Sequence, residues 1–496
     1  MSDHEIKNAS TTPGLPISLG LGPVLEKADV ERHPRALDRR SLLIGTLCIG
    51  LALVMTPIAR GLMALIGLIT NLAFYQRVGF DLVSPASHSL GLFVIAIPVI
   101  GSLIVGLMAR YGAKAIRGHG IPEAMEQILT NDSRIPVRMT FLKPLSAAIA
   151  IGTGGPFGAE GPIIATGGAL GSLLGQIIHV TAHERKTLLA AGAAAGMTAI
   201  FGTPFSAILL AIELLVFEFR PRSFIPIALA ALTAIMLRPF LFGTDLLFYI
   251  ATFAPASSTA LIGYAALGVI MGLFAVVIAK STYLIEDLFE RLPIHWMWWP
   301  AIGGLVVGLG GLIEPRALGV GYDIISDLLG NHVVAKAVVA ILLVKAGIWL
   351  VALSSGTSGG VLAPLLILGG ALGWLLGLAF PGEPGFWALL GMAAMMGGTM
   401  RAPLTGTFFA VEITGDVSTL VPLLVATVAA YAVTVLLLRR SILTEKIARR
   451  GQHITREYGI DPFELTRAGE IMIRQVDTLP AAMTVEDACR FFITRE

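Results

Sequence analysis

Long apolar stretches separated by short polar connections run through the chain from residue 41 to residue 438. These stretches, each of which predicts a helix, lie at 41–75, 89–109, 142–154, 160–180, 186–200, 204–219, 223–240, 258–282, 297–313, 334–354, 359–380, 385–400, 403–414 and 418–438. A helix that crosses a bilayer without tilting needs roughly 20 apolar residues, and the segments at 142–154, 186–200 and 403–414 are shorter. Their ends carry Gly or Pro, so we expect broken or partly inserted helices. Such helices are stable in a membrane only where the loose ends are buried in protein or line an aqueous site.

The second half of this pattern repeats the first. One gap-free alignment pairs Lys143, Gly154, Pro162, Gly167, Gly168, Ala169, Leu170, Gly171 and Gly175 with Lys345, Gly356, Pro364, Gly369, Gly370, Ala371, Leu372, Gly373 and Gly377. After a small deletion, Gly192, Pro204 and Glu213 pair with Gly391, Pro403 and Glu412. Two related halves with interrupted helices at matching positions are typical of transporters that bind substrate at the repeat interface, near the bilayer midplane. The alignment leaves open whether the halves are inverted.

Glu213 and Glu412 occupy equivalent positions in the two halves. A carboxylate within a membrane segment is costly unless it has a partner or a function. Because both halves keep it, we favour a shared structural role at helix ends or interfaces over a role in transport.

Composition agrees with a polytopic membrane protein. The chain is 55% hydrophobic and only 14% charged, with a mean hydropathy of +0.80, which excludes an ordinary soluble domain. Its two cysteines, Cys48 and Cys489, give neither a disulfide framework nor metal-ligand spacing. We expect no metal, no cofactor and no nucleic-acid partner.

Basic residues flank the hydrophobic region on both sides. Arg32, Arg35, Arg39 and Arg40 precede it, and Arg439, Arg440, Lys446, Arg449 and Arg450 follow it. Positive charge marks the cytoplasmic side, so both termini are expected in the cytoplasm after an even number of full crossings. We expect an integral protein of the cell's inner (plasma) membrane, with a cytosolic tail at 1–40, membrane repeats at 41–240 and 241–456, and a cytosolic segment at 457–496. In that last segment Thr484 is a candidate helix N-cap.

Glu160 is the most informative single residue. It lies in Gly-Ala-Glu-Gly-Pro (158–162) and opens an apolar run to Val180 that otherwise carries one His as its only titratable side chain. A carboxylate at this depth needs a partner, an aqueous cavity or a function. A helix starting at Pro162 would point its free N–H groups toward Glu160. Those groups can hold either the carboxylate or an anion that displaces it.

Three glycine-rich breaks, at 118–122, 158–162 and 359–364, each end in proline, which is favoured at a helix start. Each helix N-terminus carries about half a positive charge, so three meeting in one cavity would bind an anion without a Lys or Arg. Partial charges also allow the ion to leave. The alternative is that Gly and Pro merely interrupt membrane helices. One break alone would favour that alternative, whereas three, one of them bearing an acid, favour an anion site.

These motifs resemble those of the CLC family of chloride channels and chloride/proton antiporters. GHGIPEAME (118–126) is similar to the family's GSGIPE, GAEGP (158–162) to its GKEGP or GREGP, and SGTSGGVLAP (355–364) to its GxFxP. RAPLTG (401–406) followed by Glu412 also resembles the family's second half. The resemblance covers about 41–456. It implies an all-α polytopic fold of two inverted repeats of tilted, broken and re-entrant helices, assembled as a homodimer with one pore per subunit.

The resemblance also implies roles for particular residues. Glu160 matches the gating glutamate, which blocks the outer anion site when ionised and moves away when protonated or displaced. Val361 and Leu362 match the residues whose backbone N–H groups bind the central anion, and the backbone of Gly158, Ala159 and Gly161 would form the outer site. The segment from about Gly469 resembles the start of a CBS domain, a regulatory nucleotide-sensing module, but it is too short to be complete.

Three positions depart from the family pattern. His119 replaces the serine that usually donates a hydroxyl to the central anion. A neutral imidazole can still donate one N–H, and it becomes a cation in mildly acidic surroundings, which would raise anion affinity. A His that merely fills space and bonds to backbone is an equal alternative.

Leu443 and Leu214 are the other two departures. Leu443 lies where the family usually has a tyrosine hydroxyl facing the ion, which predicts a more apolar or wider inner gate. Leu214 takes the place of the glutamate that relays protons from the cytoplasm in many antiporters. Leucine cannot carry a proton, so these two positions favour a passive channel slightly over a chloride/proton antiporter.

The sequence therefore predicts transport of chloride or a similar small anion across the lipid bilayer through a pathway gated by Glu160. A halide/proton antiporter, with protons as the second substrate, is the alternative. An intramembrane enzyme is a remote one, because His119, Glu160 and His179 lie in separate segments without the spacing of a catalytic or metal site. A sensor of cytosolic ligands is disfavoured by the incomplete CBS-like segment.

Overall fold

The computed structural model describes residues 10–12, 15–16, 39–244, 248, 260–449, 451, 483–487 and 490. The chain divides into two units, one formed by Ala36–Thr455 and the other by Met1–Arg35 together with Arg456–Glu496. The larger unit holds every candidate site residue, and within the described ranges its regular elements are helices.

The smaller unit contains two short elements among the described residues. Strands β1 (Ser10–Thr12) and β2 (Leu15–Pro16) pair in an antiparallel hairpin. The N–H of Asp487 donates to Oγ1 of Thr484 over 3.3 Å, which starts a helical turn at 485–487. The predicted N-cap at Thr484 is thus confirmed. Most of the segment that resembles a CBS domain lies outside the described residues.

The first half of the larger unit contains eight helices within the described ranges. They are α1 (Arg39–Tyr75), α2 (Ala96–Tyr111), α3 (Ile121–Thr130), α4 (Val137–Gly152), α5 (Glu160–Ile177), α6 (Ala182–Phe201), α7 (Pro204–Leu210) and α8 (Pro221–Phe242). Helix α7 continues into a π-helical turn at Ala211–Val216. Short 3₁₀ turns lie at Pro85–Ser87, Gly91–Ile95 and Lys114–Ile116.

The second half supplies nine more helices over the part of the chain that the structure describes. They are α9 (Ala260–Glu290), α10 (Trp299–Ile313), α11 (Tyr322–Leu329), α12 (Ala335–Ser354), α13 (Leu362–Gly377), α14 (Pro384–Met400), α15 (Pro403–Thr414), α16 (Leu420–Leu437) and α17 (Ile442–Arg449). Further 3₁₀ turns lie at Trp296–Trp298, Pro315–Ala317 and Val417–Thr419.

Every apolar segment predicted from the sequence contains a helix, and α3, α11 and α17 are additional short helices. The predicted segment at 186–200 was too short, because α6 begins at Ala182 and has 20 residues. Its first turn is polar, so hydrophobicity alone misses it. Thr181 and Glu184 form a capping box there: each side chain accepts a hydrogen bond from the other residue's backbone N–H.

Seven helical stretches among the described residues are long and apolar enough to cross a membrane. They are Arg39–Tyr75, Gly91–Tyr111, Pro221–Phe242, Ala260–Glu290, Trp296–Ile313, Ala335–Ser354 and Val417–Arg449. Shorter apolar helices occur at Pro204–Val216 and Leu362–Gly377. The number of full crossings does not follow from this set, so the expected even number stays a prediction.

The repeat seen in the sequence is also a repeat in packing. Helix α5 packs against α6, and α13 packs against α14. A Cβ added at Gly167 would lie 2.1 Å from the carbonyl oxygen of Gly192, and a Cβ added at Gly369 would lie 2.4 Å from that of Gly391. No side chain fits at such distances, so glycine allows both helix pairs to approach closely. Both pairs are ones that the sequence alignment matches.

Candidate functional site

The glycine-rich breaks that precede α3, α5 and α13 meet in space. Gly158 and Gly360 exchange two backbone hydrogen bonds of 3.2 and 3.0 Å. Gly118 donates to the carbonyl of Thr357 over 3.3 Å, and Gly359 donates to the carbonyl of Gly118 over 3.4 Å. The predicted convergence of three breaks is therefore confirmed.

This meeting point leaves no room for side chains on two glycines. A Cβ at Gly161 would lie 2.1 Å from the carbonyl oxygen of His119, and a Cβ at Gly120 would lie 2.4 Å from that of Gly161. Gly120 also has φ +94°, which side-chain-bearing residues rarely adopt. The sequence pattern thus brings three backbones closer together than any other residue type would allow.

Two helices begin two residues before the proline that was expected to start each of them. Helix α5 begins at Glu160, with Ala159 as N-cap, and not at Pro162. Helix α13 begins at Leu362, with Val361 as N-cap. Pro162 and Pro364 are both third in their helices, where the missing N–H costs no hydrogen bond. Glu160 is therefore part of the helix start, and its own N–H is one of the free donors there.

The Glu160 side chain lies across the break toward α13. It is fully buried, and its Oε1 accepts a hydrogen bond of 3.1 Å from the hydroxyl of Tyr322. The backbone N–H groups of Glu160 itself and of Ala363 also face the carboxylate. Its Oε2 lies so close to Gly158 that a Cβ added to this glycine would be 1.5 Å from the oxygen. The carboxylate thus occupies the space between the starts of α5 and α13.

The buried lysines of the sequence repeat hold the neighbouring loops. Nζ of Lys143 donates to the carbonyls of Ile116 and Gly118 over 2.8 and 2.7 Å. Nζ of Lys345 donates to the carbonyls of Gly319 and Val320 over 2.9 and 3.4 Å. These ammonium groups satisfy backbone carbonyls that no helix pairs.

A cavity of about 350 Å³ borders His119, which is buried. Arg117, Ser354, Gly356 and Lys446 share its lining. The Arg117 guanidinium carbon lies over the rings of Trp296 and Trp299, 4.8 and 5.6 Å from their centroids. Arg117, directly before the break at 118–122, therefore brings a full positive charge to this cavity, which the sequence analysis did not assign to the site. The lining also holds Lys114, Glu286 and Glu290.

A second cavity, of about 100 Å³, borders Tyr322 together with Ser84, Pro85 and Gly319. It shares no lining residue with the cavity at His119. Since the Tyr322 hydroxyl contacts Glu160, the carboxylate lies next to a residue that lines this second cavity.

The remaining candidate residues are buried and apolar. Leu214 lies in the π-helical turn after α7 and is fully buried. Its side chain has no group that can carry a proton. Leu443 is fully buried in α17, which packs on α3. Next to it, the carbonyl of Ile442 accepts a hydrogen bond from the hydroxyl of Tyr283.

Tyr322 is the site residue that the sequence analysis missed. It begins α11 after Gly319, Val320 and Gly321, where the two glycines have φ +66° and +83°. This loop matches Gly118, His119 and Gly120 at nearly the same repeat interval. The match was available in the sequence, but the loop has neither the proline nor the acid that identified the other three breaks.

The chain contains two packed repeats whose broken helices meet at a buried carboxylate. This arrangement is typical of membrane proteins that bind and transport small anions. A family model described as Voltage gated chloride channel matches residues 101–435. The chain belongs to this CLC family.

Two relatives illustrate the similarity in sequence. The chain is 28% identical over 349 residues to a putative chloride channel protein ClcB-like of Ralstonia nicotianae, covering 68% of this chain and 81% of that protein. It is 32% identical over 414 residues to the H(+)/Cl(-) exchange transporter ClcA of Salmonella paratyphi B, covering 76% of this chain and 85% of that protein.

Solved structures agree on the fold. A slow cyanobacterial Cl⁻/H⁺ antiporter matches with a TM-score of 0.74 and 22% identity, over 84% of this chain and 98% of that one. A CLC-type fluoride/proton antiporter matches with a TM-score of 0.67 and 21% identity, over 79% of this chain and 95% of that one. The predicted all-α CLC-type fold is confirmed, and the protein is an integral membrane protein that transports anions.

Proposed function

We propose that this protein is an antiporter that exchanges chloride for protons. The observation that carries the proposal is the position of the Glu160 carboxylate between the starts of α5 and α13. One group that both fills an anion site and binds a proton links the two fluxes, because the anion can enter only when the carboxylate has left.

The same relatives support exchange over passive conduction. The sequence analysis favoured a channel because Leu214 and Leu443 lack polar groups, yet one relative is named an exchange transporter and two structural matches are antiporters. The relative from Ralstonia, named a putative chloride channel protein, supports anion transport without this distinction. We therefore propose the antiporter as the function, and the channel becomes the alternative outcome of the test.

The anion is held by backbone donors in this proposal. The N–H groups of Val361 and Leu362 form the central position, and those of Ala159 and Gly161 form the position that the carboxylate competes for. The N–H of Gly158, which the sequence analysis also assigned to this position, is already bonded to the carbonyl of Gly360. Free N–H groups at helix starts attract anions with partial charges and leave the ion free to exit. His119 meets Gly161 through its backbone and borders the cavity of about 350 Å³.

Protons reach Glu160 from the two cavities. On the side of Tyr322 the path is short, since that residue touches both the carboxylate and its cavity. On the side of His119, Leu214 provides no carrier, so water in the cavity of about 350 Å³ must relay the proton. A water molecule takes about 30 Å³ of liquid volume, so several fit there.

Flux measurement in liposomes, with simultaneous recording of chloride and protons, tests the proposal. An imposed chloride gradient should drive protons uphill, and dissipation of the gradient without proton movement would identify a channel. In Glu160→Gln at saturating chloride, chloride should flow without proton movement and without pH dependence. If that variant still pumps protons, Glu160 is not the coupling group.

We further propose a homodimer in the cell's inner membrane, with both termini in the cytoplasm. The basic clusters around residues 32–40 and 439–450 support this orientation. Accessibility of single cysteines introduced at either end to an impermeant thiol reagent in intact cells tests the orientation. Cross-linking in native membranes tests the dimer.

A further inference from the structure

The hydroxyl of Tyr322 is the only side-chain group that hydrogen bonds to the Glu160 carboxylate among the described residues. The two residues are 162 positions apart and belong to different halves of the chain. Tyr322 also borders the cavity of about 100 Å³. Tyr322 therefore contacts the carboxylate through its hydroxyl and also contributes to the lining of this cavity.

The Tyr322 ring is held by aromatic contacts. Phe201 lies edge-on to it with a centroid distance of 6.3 Å, and Phe248 also lies edge-on to it at 6.3 Å. Phe201 in turn packs edge-on against Phe409 at 5.1 Å. Edge-to-face contacts of this kind restrict ring rotation, so the direction of the hydroxyl is set by packing.

The backbone before Tyr322 is fixed as well. The N–H of Gly319 donates to the carbonyl of Gly154 over 3.0 Å. Lys345 donates to the carbonyls of Gly319 and Val320. The loop is thus tied to the segment that precedes α5 and to α12, and Tyr322 is presented to Glu160 at a constant position.

We propose that Tyr322 is a positioning residue that holds the ionised Glu160 in the anion site and releases it on protonation. An ionised carboxylate accepts a much stronger hydrogen bond from a phenol than a neutral carboxyl group does. The bond therefore stabilises the blocked conformation only while Glu160 is charged. This inference rests on the proposed function, because it describes how the gate of that function is held.

The other charged groups around Glu160 are engaged elsewhere. Lys143 and Lys345 bind loop carbonyls, and Asp323, the residue after Tyr322, interacts with Lys345. On α3, Glu123 accepts the N–H of Gly120 over 2.7 Å and pairs with Lys446 at 2.9 Å. His119 faces the site through its backbone at Gly161. Removing the Tyr322 hydroxyl thus changes one contact of Glu160 and leaves these charges in place.

The test is the pH profile of anion flux in Tyr322→Phe, which keeps the ring and its contacts with Phe201 and Phe248. Loss of one hydrogen bond to a charged group corresponds to about a tenfold change in the blocked population, so the midpoint of the profile should move about one pH unit toward alkaline pH. Flux at acidic pH, where Glu160 is already released, should stay at the wild-type value.

Tyr264→Phe is the matched control. Tyr264 is a buried tyrosine on α9 that packs edge-on against Phe386 at 5.5 Å, away from Glu160. Its variant should keep the wild-type profile. Tyr322→Phe removes only one oxygen atom, so we expect the variant to fold. Size-exclusion chromatography of both purified variants verifies that each is folded.

The double variant Glu160→Gln with Tyr322→Phe separates this inference from the proposed function. If Glu160→Gln removes pH dependence and Tyr322→Phe moves the profile only when Glu160 is present, the positioning role of Tyr322 is supported. If Glu160→Gln removes pH dependence but Tyr322→Phe leaves the profile unmoved, that role is wrong and the gate stands. Persistence of pH dependence at saturating chloride in Glu160→Gln overturns the gate itself.

Discussion

Glu213 and Glu412 each cap the helix that leads to the other. The Glu412 carboxylate accepts the N–H groups of Phe205 and Ser206, at the start of α7, over 2.8 Å each. The Glu213 carboxylate accepts those of Leu404 and Thr405, at the start of α15, over 3.3 and 3.0 Å. The structural role favoured from the sequence repeat is therefore observed, in the same form in both halves.

This reciprocal capping predicts a loss of stability when either acid is removed. Glu412→Ala leaves two N–H groups of α7 without a partner, which should lower the free energy of unfolding by about 2 kcal/mol. Glu213→Ala should do the same at α15. Thermal unfolding in detergent measures both, and Asp81→Ala, an exposed acid in the loop between α1 and α2, serves as control. Loss of transport in a variant of unchanged stability would instead assign these acids to the ion path.

Glycine at position 167 is predicted to be indispensable for the packing of α5 on α6. In Gly167→Ala the new methyl group would lie 2.1 Å from the carbonyl oxygen of Gly192, so the helices must separate. We expect a large drop in the yield of monodisperse protein. Gly347→Ala on α12 has no atom within 4 Å of the added carbon and should be tolerated. Equal yields of the two variants would contradict this packing.

His119→Ser tests whether the imidazole contributes to anion binding. If His119 becomes a cation in mild acid beside the anion, the wild-type protein should gain apparent chloride affinity between pH 7.5 and pH 5, about one order of magnitude at most. The serine variant should lose that gain and keep transport. Chloride dependence of the flux at the two pH values measures it. An identical gain in both proteins would leave His119 with a packing role alone.

Arg117 is predicted to collect anions at the cavity that borders His119. Arg117→Gln should raise the chloride concentration for half-maximal flux several-fold and leave the maximal rate nearly unchanged, since the guanidinium lies outside the backbone donor set. The effect should shrink as ionic strength rises with an impermeant salt, because added ions screen the charge. A salt-independent change would point to altered packing of Trp296 and Trp299.

Leu214→Glu tests proton supply. The substitution restores the glutamate that many family antiporters have at this position. If proton delivery from the side of His119 limits exchange, proton flux should rise relative to chloride flux. Leu214→Gln has nearly the same shape and no ionisable group, so it should leave the ratio unchanged. An unchanged ratio in both variants would mean that the water path already delivers protons fast enough.

Much of the fold is readable from the sequence because the bilayer requires long apolar runs, which α1, α9 and α12 display directly. The repeat follows equally well, since Gly167 and Gly369 are fixed by backbone contact. By contrast, α3, α11 and α17 are too short or too polar to show in hydrophobicity.

The site is only partly readable, for a different reason. Glu160 and the breaks beside it can be recognised from the sequence, because an acid among glycines at the start of an apolar run is unusual. Tyr322 and Arg117 do not, since an isolated tyrosine or arginine is common at any helix start. The role of Tyr322 follows from its contact with Glu160, and that of Arg117 from its contacts with Trp296 and Trp299. Only the folded chain brings these residues together.

Two backbone hydrogen bonds between Gly158 and Gly360 connect the two halves of the chain at the candidate anion site itself. Tilting one half against the other, as a rocking transporter does, would break both bonds. The exchange proposed above is therefore expected to change access mainly by moving the Glu160 side chain.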